Sequence, residues 1–187
     1  MKQYLVIFAL CVSVGFVASC GKKEGATAEG PKVDSTAIKN KEGSMKWVEL
    51  ANAGKFDEMN TLMDANYIEH SPAPGQKPGL AGFIEMMKQW KAAYPDMKIE
   101  TKDMIAEGDK VVTLSHMTGT QTGSFMGKPG NGSKMDVMGV DVVKIVNGKA
   151  TEHWGFMEEM KFAQQAGMMP SMDQMMAGMK KDEAKKK

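Results

Sequence analysis

The stretch that decides the fold runs from residue 135 to residue 156 and reads MDVMGVDVVKIVNGKATEHWGF. Residues 135–146 are rich in valine and apolar on both faces, which is typical of a central strand. The pair Asn147-Gly148 is a strong signal for a tight turn between antiparallel strands. We therefore predict a β-hairpin in which residues 150–156 pair with the preceding strand.

Two further strands are predicted immediately upstream of this hairpin. Residues 97–105 alternate between apolar and polar side chains, as Met97 and Ile99 do against Lys98 and Glu100. Residues 110–118 are rich in β-forming types, and the turn signal Glu107-Gly108-Asp109 precedes them. This half of the chain is therefore expected to form an antiparallel sheet.

The residues before these strands show helical spacing instead. The clearest apolar stripe starts after Pro78-Gly79, stops before Pro95 and consists of Leu80, Phe83, Ile84, Met87 and Trp90. Two helices are predicted before it, separated by Ala53-Gly54, from the spacing of Trp47, Val48, Ala51, Phe56, Met59, Leu62 and Met63. Residues 67–75 are predicted to be a loop because of their prolines. Helices followed by antiparallel strands indicate an α+β fold.

The first twenty residues have the pattern of an export signal. Lys2 supplies one positive charge, and the apolar run from residue 4 to residue 16 is too short for a comfortable membrane span. Val17-Ala18-Ser19-Cys20 resembles the lipobox of bacterial lipoproteins, in which lipid is attached to the cysteine. The resemblance implies a signal peptide over residues 1–19 and a protein anchored by lipid on Cys20 in the cell envelope. An ordinary signal peptide cut near Ala18, leaving Cys20 as a free thiol, remains the alternative.

The composition of the chain after residue 19 limits the partners and the covalent links that we expect for it. Removing residues 1–19 leaves 23 basic and 23 acidic residues, since only Lys2 is lost from the 24 basic residues of the whole chain. A neutral protein gives no reason to expect nucleic acid as a partner. Cys11 is lost with the leader, so no internal disulfide is expected. Residues 20–35 have almost no apolar content and are predicted to be a flexible tether, followed by one domain over residues 36–169.

An ordered set of motifs in this domain resembles a known family. The set comprises Ala51-Asn52-Ala53-Gly54-Lys55-Phe56-Asp57, Tyr67-Ile68-Glu69-His70-Ser71-Pro72, Tyr94-Pro95-Asp96, Thr118-Gly119-Thr120-Gln121-Thr122-Gly123, Asn147-Gly148-Lys149, Glu152-His153-Trp154 and Gln164-Gln165-Ala166-Gly167. Their order and spacing resemble the SnoaL-like polyketide cyclases, or ester cyclases, of the nuclear-transport-factor-two-like superfamily. The resemblance covers about residues 44 to 169.

The resemblance implies a cone-shaped α+β barrel, with N-terminal helices packed on a curved antiparallel sheet and a C-terminal helix. The cone would enclose a cavity for a small, mostly apolar ligand. Acid/base chemistry on a carbonyl compound, as in a cyclase or isomerase, would follow, with no cofactor. A homodimer is also expected by resemblance. The alternative is a lipoprotein that binds a ligand or docks a partner without catalysis.

Three residues are candidates for catalysis. His116 shares a strand face with Val112 and Leu114, so it points inward if they do, although it could also be a core histidine with a backbone partner. Asp141 shares a face with Val137 and Val143, where burial would raise its pKa, unless the opposite face is the inner one. The family's acid/base residue is a carboxylate late in the chain, which leaves Asp141 and Glu158 open. Glu158 could equally be a surface acid at a helix start.

Four other residues are predicted to line the cavity. His153 and Trp154 occupy opposite faces of the last strand, so that one lines and the other packs. His70 precedes Ser71-Pro72 and could lie at the cavity mouth or order its loop. Gln121 stands where the family often has a histidine after Gly-Thr. The three histidines show no tight ligand spacing, so no metal site is predicted.

The C-terminal segment, residues 170–187, is rich in methionine and ends in lysines. Met168, Met169, Met172, Met175, Met176 and Met179 keep helical spacing along one face, and Ser171 with Gln174 forms a capping-box pattern. A helix that covers the domain or a dimer partner, a soft-metal site and a membrane- or partner-docking surface all fit this pattern.

Overall fold

The computed structural model describes residues 34–185. The predicted signal peptide, Cys20 and the tether up to residue 33 therefore lie outside the described residues, as do the last two lysines. No helix within residues 34–185 is long and apolar enough to cross a membrane.

The described residues form four α-helices, a 3₁₀ helix and five strands. In chain order they are α1 (Ser35–Ala53), a 3₁₀ helix (Phe56–Thr61), β1 (Met63–Glu69), α2 (Gly79–Ala93), β2 (Lys98–Glu107), β3 (Lys110–Thr120), β4 (Lys134–Val146), β5 (Lys149–Met157), α3 (Glu159–Gln165) and α4 (Met172–Lys185). The predicted α+β fold class is confirmed.

A single curved sheet with the strand order β1-β5-β4-β3-β2 organises the domain. Strands β2 to β5 pair antiparallel, and both predicted tight turns join neighbouring strands. Asn147 and Gly148 have φ angles of 51° and 76° at the β4–β5 turn, the left-handed backbone that this pair of residues tolerates. The central hairpin thus forms where the sequence predicts it.

The prediction of a second helix through Met63 is wrong. A 3₁₀ helix ends at Thr61, and Met63–Glu69 is strand β1, which pairs parallel with β5. Because β1 also includes Tyr67 and Glu69, the predicted loop begins only at His70. Phe56, Met59 and Met63 are indeed buried, but so short an apolar run fits a helix or a strand equally well. Pairing with β5, 80 or more residues away in the chain, decides the conformation.

Helices α1 and α2 pack against one face of the sheet and fix the position of the core. Phe83 and Met87 of α2 are buried, as the apolar stripe predicts. Asn52 ties α1 to β2, because its side-chain amide donates to the Ile99 carbonyl at 2.9 Å and accepts from the Ile99 N–H at 2.7 Å. These contacts dock α1 on β2 at one edge of the sheet.

The C-terminal helix α4 starts at the predicted capping box. The Ser171 hydroxyl accepts from the Gln174 N–H at 3.2 Å, and the Gln174 side chain accepts from the Ser171 N–H at 2.9 Å. The methionines that follow are exposed: Met172, Met176 and Met179 have 58%, 51% and 64% of their surface accessible. Their exposure argues against a helix that covers the domain.

Candidate functional site

The space between the sheet and its helices is a cavity of about 530 Å³. Its walls come from α1, β1, α2, β2 to β5 and α3, together with the loop that follows β1. Methionine and aromatic side chains dominate the lining, among them Trp47, Met63, Phe83, Met87, Trp90, Met97, Met117, Phe125 and Phe162. The volume and the apolar lining suit a small organic ligand.

A histidine held between two carboxylates is the main polar feature of this cavity. His153 of β5 places Nδ1 at 2.7 Å from Glu69 Oε2 and Nε2 at 3.1 Å from Asp141 Oδ1. The ring also packs edge-on against Phe83, with 6.2 Å between the ring centroids. All three side chains of this group line the cavity. We call Glu69, His153 and Asp141 the cavity triad.

Glu69 is the most deeply buried member of the cavity triad, with 4% of its side chain accessible. Its Oε2 accepts from the Tyr67 hydroxyl at 2.7 Å, and its Oε1 accepts from the Ser71 N–H at 2.9 Å. A buried carboxylate with this many donors is stabilised in its ionised form. Glu69 is therefore a fixed negative charge behind His153.

Within the cavity triad, the charged forms of His153 and Glu69 stabilise each other. Burial alone would lower the pKa of His153, but the hydrogen bonds to Asp141 and Glu69 outweigh it and raise the pKa to about 9. Burial opposes the ionisation of Glu69, and its contacts with His153 outweigh that effect and lower its pKa. At neutral pH His153 is an imidazolium that donates one N–H to each carboxylate.

Asp141 is the member of the cavity triad that faces the open space, with 38% of its side chain accessible. The Ser115 hydroxyl donates to its Oδ2 at 3.3 Å. Gly155 lies opposite Asp141 in the ladder, and a Cβ there would come within 2.9 Å of His153 Cε1. Glycine at position 155 therefore leaves enough space for the side chains of His153 and Asp141 to make contact.

Two of the sequence-predicted site residues, Asp141 and His153, are brought together in this way. The strand phase explains the placement of Asp141: it pairs with Thr113, which is buried together with Val111 and Ser115 on the same face of β3. The inner face of the sheet is thus the face that carries Asp141. Its role in catalysis stays a prediction.

The expected inward orientation of His116 is wrong. Leu114 is 37% exposed and Val112 is 36% exposed, so the face of β3 that they share with His116 is the outer one. His116 Nε2 lies 2.8 Å from Asp136 Oδ1, outside the cavity. Sequence alternation gives two faces but does not say which one is covered, because both faces of β3 carry apolar residues.

Glu158 also lies outside the cavity, at the start of α3. Its carboxylate accepts from the Met138 N–H at 2.9 Å and pairs with Lys161 at 3.0 Å. The hydrogen bond from Met138 and the contact with Lys161 lower the pKa of Glu158. These contacts are those of a surface acid that links α3 to β4, so the structure favours Asp141 as the late carboxylate.

Trp154 and His70 stack on each other on the opposite face of β5 from His153. Their ring centroids are 4.3 Å apart and their planes differ by 5°. His70 Nε2 also lies 2.9 Å from Glu152 Oε2. Neither ring lines the cavity, so the expectation that His70 lies at the cavity mouth is wrong, and His153 rather than Trp154 is the lining residue of the pair on β5.

Gln121 is fully buried but does not line the cavity either. Its backbone N–H donates to the Ser133 carbonyl at 2.9 Å, and its carbonyl accepts from Gly132 at 2.8 Å. The Ser133 hydroxyl lies 3.4 Å from its side-chain oxygen. Gln121 therefore fastens the loop between β3 and β4, and the expectation that it contacts the ligand is wrong.

Sequence reasoning missed Glu69 and Tyr67 because it placed them in a loop. The signal was present in the alternation of the segment: Met63 and Tyr67 are buried, and Glu69 follows Tyr67 two residues later on the same face of β1. A two-residue period in a segment that ends just before Ser71-Pro72 would have indicated an inward carboxylate.

Comparison with known proteins agrees with this architecture. The sequence model of the SnoaL-like polyketide cyclases matches residues 44–166, which is more than half of the chain. The chain belongs to the SnoaL-like polyketide cyclase family. A comparison with curated proteins finds no match.

Solved structures show the same fold at low sequence identity. TsrD from Streptomyces laurentii is 22% identical, with a TM-score of 0.64 over 74% of this chain and all of that one. A SnoaL-like polyketide cyclase from Agrobacterium tumefaciens is 20% identical, with a TM-score of 0.57 over 67% of this chain and 96% of that one. AclR from Streptomyces galilaeus is 21% identical, with a TM-score of 0.66 over 79% and 93%.

The cavity of this SnoaL-like domain offers proton-transfer groups. Within residues 34–185, no group of three or more His, Cys, Asp or Glu side chains is arranged to hold a metal ion. The cavity triad uses both nitrogens of His153 in hydrogen bonds to carboxylates. Asp141 is left as an accessible acceptor in apolar surroundings, a suitable position for a general base.

Proposed function

We propose that this SnoaL-like chain is an acid/base enzyme of the cyclase or isomerase type, acting on a small, mostly apolar carbonyl compound. The observation that carries the proposal is the cavity triad on the wall of an otherwise apolar cavity of about 530 Å³. A pure apolar binder has no need for a buried histidine between two carboxylates, because burying charges is costly unless they serve a purpose.

In the proposed reaction, Asp141 Oδ2 removes a proton from the carbon next to the substrate carbonyl. The electron pair of that C–H bond moves toward the carbonyl oxygen and forms an enolate. In a cyclase, the enolate carbon then attacks a second carbonyl carbon, the C=O electron pair of that group moves to its oxygen, and this alkoxide takes the proton from Asp141. In an isomerase, the enolate takes the proton back from Asp141 at another carbon. The positive charge of His153 stabilises both the Asp141 carboxylate before the transfer and the enolate after it.

Glu69 and Tyr67 support His153 in this step and do not take part in the proton transfer themselves. The Glu69 charge keeps the His153 ring protonated and oriented, and the Tyr67 hydroxyl holds the Glu69 carboxylate in place at 2.7 Å. The ligand would be bound by the methionine and aromatic walls, which account for most of the lining. Binding and proton transfer thus depend on different residues, and this difference allows them to be measured separately.

Proton abstraction can be tested without knowing the natural substrate. The chain is incubated in deuterium oxide with a panel of apolar ketones and β-keto esters, and exchange of the proton next to the carbonyl is followed by NMR. We expect exchange above the buffer rate for at least one compound, and an Asp141→Asn variant should lower that rate by at least about a hundredfold, as typical for a general base.

The matched control is Asp136→Asn, which changes another aspartate of β4 that lies outside the cavity. It should leave exchange unchanged. Equal exchange by wild type and Asp141→Asn would overturn the proposal. Wild-type protein that binds these compounds but exchanges none of them would favour the alternative of a non-catalytic binding protein.

We also propose that the chain is a lipoprotein of the bacterial cell envelope, anchored through lipid on Cys20. The support is the sequence Val17-Ala18-Ser19-Cys20 after a short apolar run. The acyl chains of such an anchor contribute about 0.8 kcal/mol per buried CH₂, and several chains together bind firmly.

The anchor is tested by fractionation and mass spectrometry of the chain expressed in a bacterium. Wild-type protein should be found in the membrane fraction, and its mature N-terminal peptide should start at Cys20 with the mass of attached lipid. A Cys20→Ser variant should lose that modification and leave the membrane. A mature N-terminus near Ser19 without lipid would show an ordinary signal peptide instead.

A further inference from the structure

Helix α4 presents methionines that the rest of the described domain does not cover. Met172, Met176 and Met179 each expose more than half of their surface, and Met175 is half-buried. The proposed catalytic function uses none of these side chains, and no methionine of α4 is among the residues that line the cavity. A burial role therefore does not explain the methionines of α4.

Helical geometry places these four side chains on one face. Residues 172, 175, 176 and 179 follow the i, i+3, i+4, i+7 pattern, which spans an arc of roughly 100° at 3.6 residues per turn. Neighbours at this spacing have Cβ atoms about 5–6 Å apart. Since methionine has three rotatable side-chain bonds, three thioether sulfurs of such a face can converge on one point.

The choice of residue separates a sulfur-based role from an apolar docking role. Between residues 167 and 179 the chain has six methionines, and it has no Leu, Ile, Val or aromatic residue there. Methionine also occurs at adaptable docking surfaces, but helices that dock in a membrane surface or a protein groove commonly include Leu, Phe or Trp anchors beside it. Methionine is the only large apolar residue type of this stripe. It supplies a thioether sulfur, which Leu, Phe and Trp lack.

Thioether sulfur is a soft, neutral ligand that favours Cu(I) and its close analogue Ag(I) over harder divalent ions. The helix that carries the sulfurs is held at its N-terminus by the Ser171–Gln174 capping box, so its first turn is already formed. A site on a formed helix requires only side-chain rotations when the ion binds. Preorganisation of this kind reduces the entropic cost of binding.

We propose that the face formed by Met172, Met175, Met176 and Met179 is a binding site for a soft monovalent cation, Cu(I), held by thioether sulfurs. The site lies outside the cavity and is independent of the proposed catalytic function. It would give the protein a second activity, the capture of this ion at its C-terminal helix.

The test uses the full chain with Cys11 and Cys20 blocked by N-ethylmaleimide, because free thiols would compete for the ion. Methionine methyl groups are labelled with ¹³C, and Ag(I), a redox-inert analogue, is added while the methyl signals are followed by NMR. Single Met→Leu variants assign the signals. The signals of the four α4 methionines should shift first, and anaerobic competition titrations with Cu(I) should give the matching affinity.

A fourfold variant, Met172→Leu, Met175→Leu, Met176→Leu and Met179→Leu, keeps the apolar face and the helix but removes the sulfurs. It should weaken Cu(I) and Ag(I) binding by at least about tenfold, a difference of roughly 1.4 kcal/mol. The control replaces two exposed methionines elsewhere, Met45→Leu and Met160→Leu, and should bind as wild type. Equal binding by the fourfold variant, or first shifts at methionines outside α4, would overturn the proposal.

Discussion

At the scale of single residues, the chemistry of the cavity depends on one histidine. His153 keeps its charge only because two carboxylates, Glu69 and Asp141, surround it in a buried position. Its pKa of about 9 lies above the ordinary value of 6.5, so the folded state binds a proton more tightly than the unfolded chain does. Protonation of this ring therefore stabilises the fold.

This linkage gives a pH dependence of stability. The contribution of His153 is complete below pH 6.5, declines between pH 6.5 and pH 9, and is lost above that range. We expect the free energy of unfolding to fall by about 2–3 kcal/mol between about pH 6 and about pH 9.5, as measured by urea denaturation. The sign follows because the folded-state pKa is the higher one.

Two variants isolate this effect from the other titrating groups. A His153→Gln variant should be less stable at about pH 6 and should lack most of the alkaline decline. A His116→Gln variant, which changes a histidine on the outer face of β3, should keep it. An alkaline decline of the same size in the His153→Gln protein would contradict the assignment of this titration to the cavity triad.

At the scale of elements, side chains that bond to the backbone of a neighbouring element dock the helices on the sheet. Asn52 is the clearest case, since it makes both a donor and an acceptor contact with Ile99 of the edge strand β2. The Asn52 amide thus makes the backbone hydrogen bonds that a further strand would make if β2 were not at the edge of the sheet. The helix α1 is thereby docked at one end of the sheet, while Trp47 and Ser44 further along it line the cavity.

An Asn52→Ala variant should lower the free energy of unfolding by about 2 kcal/mol, because two partly buried hydrogen bonds are lost and the Ile99 groups are left unpaired. An Asn52→Asp variant keeps the acceptor but loses the donor, and its cost should lie between that of Asn52→Ala and zero. Asn60→Ala, at an exposed position of the 3₁₀ helix, is the control. Equal stability of the Asn52→Ala and Asn60→Ala proteins would refute the docking role.

The outer face of the sheet, opposite the cavity, carries exposed apolar side chains. Two neighbouring ladder rows on this face are apolar, one with Val112 beside Val142 and Trp154, and the next with Leu114 beside Val140. Ile105 of β2 extends the first of these rows and is 63% exposed. Exposed apolar rows on a sheet commonly mark a surface that is covered in an assembly.

At the scale of the whole molecule, we propose that two copies of the domain associate through this outer face, in agreement with the homodimer expected by resemblance. A two-fold contact would place the same rows of both copies against each other. Sedimentation velocity of the wild-type domain should show a dimer.

A Val140→Lys variant should shift this equilibrium to the monomer, since each copy would bring a charge into the centre of the contact. The control is Met45→Lys, which adds a lysine at an exposed position of α1. A monomeric wild type, or an unchanged dimer in the Val140→Lys protein, would contradict the proposed face.

Much of the fold could be predicted from local pattern. The stripe of α2, the apolar patterns of the strands β2 to β5 and the Asn147-Gly148 turn are each contained in a segment of about a dozen residues, so the sequence indicates them directly. Strand β1 could not be predicted, since its partner β5 lies far away in the chain and its apolar residues fit either type of element.

The candidate site was predictable only in part, for a physical reason. Alternation along β3, β4 and β5 determines which residues of a strand share a face: it groups His116 with Leu114 and sets His153 opposite Trp154. Which face is enclosed depends on where α1 and α2 pack, and that placement turned His116 and Trp154 outward. By itself the sequence determined the α+β fold class, the hairpins and the methionine face of α4. Tertiary packing alone decided the cavity triad, because Glu69 and His153 meet only when distant strands pair.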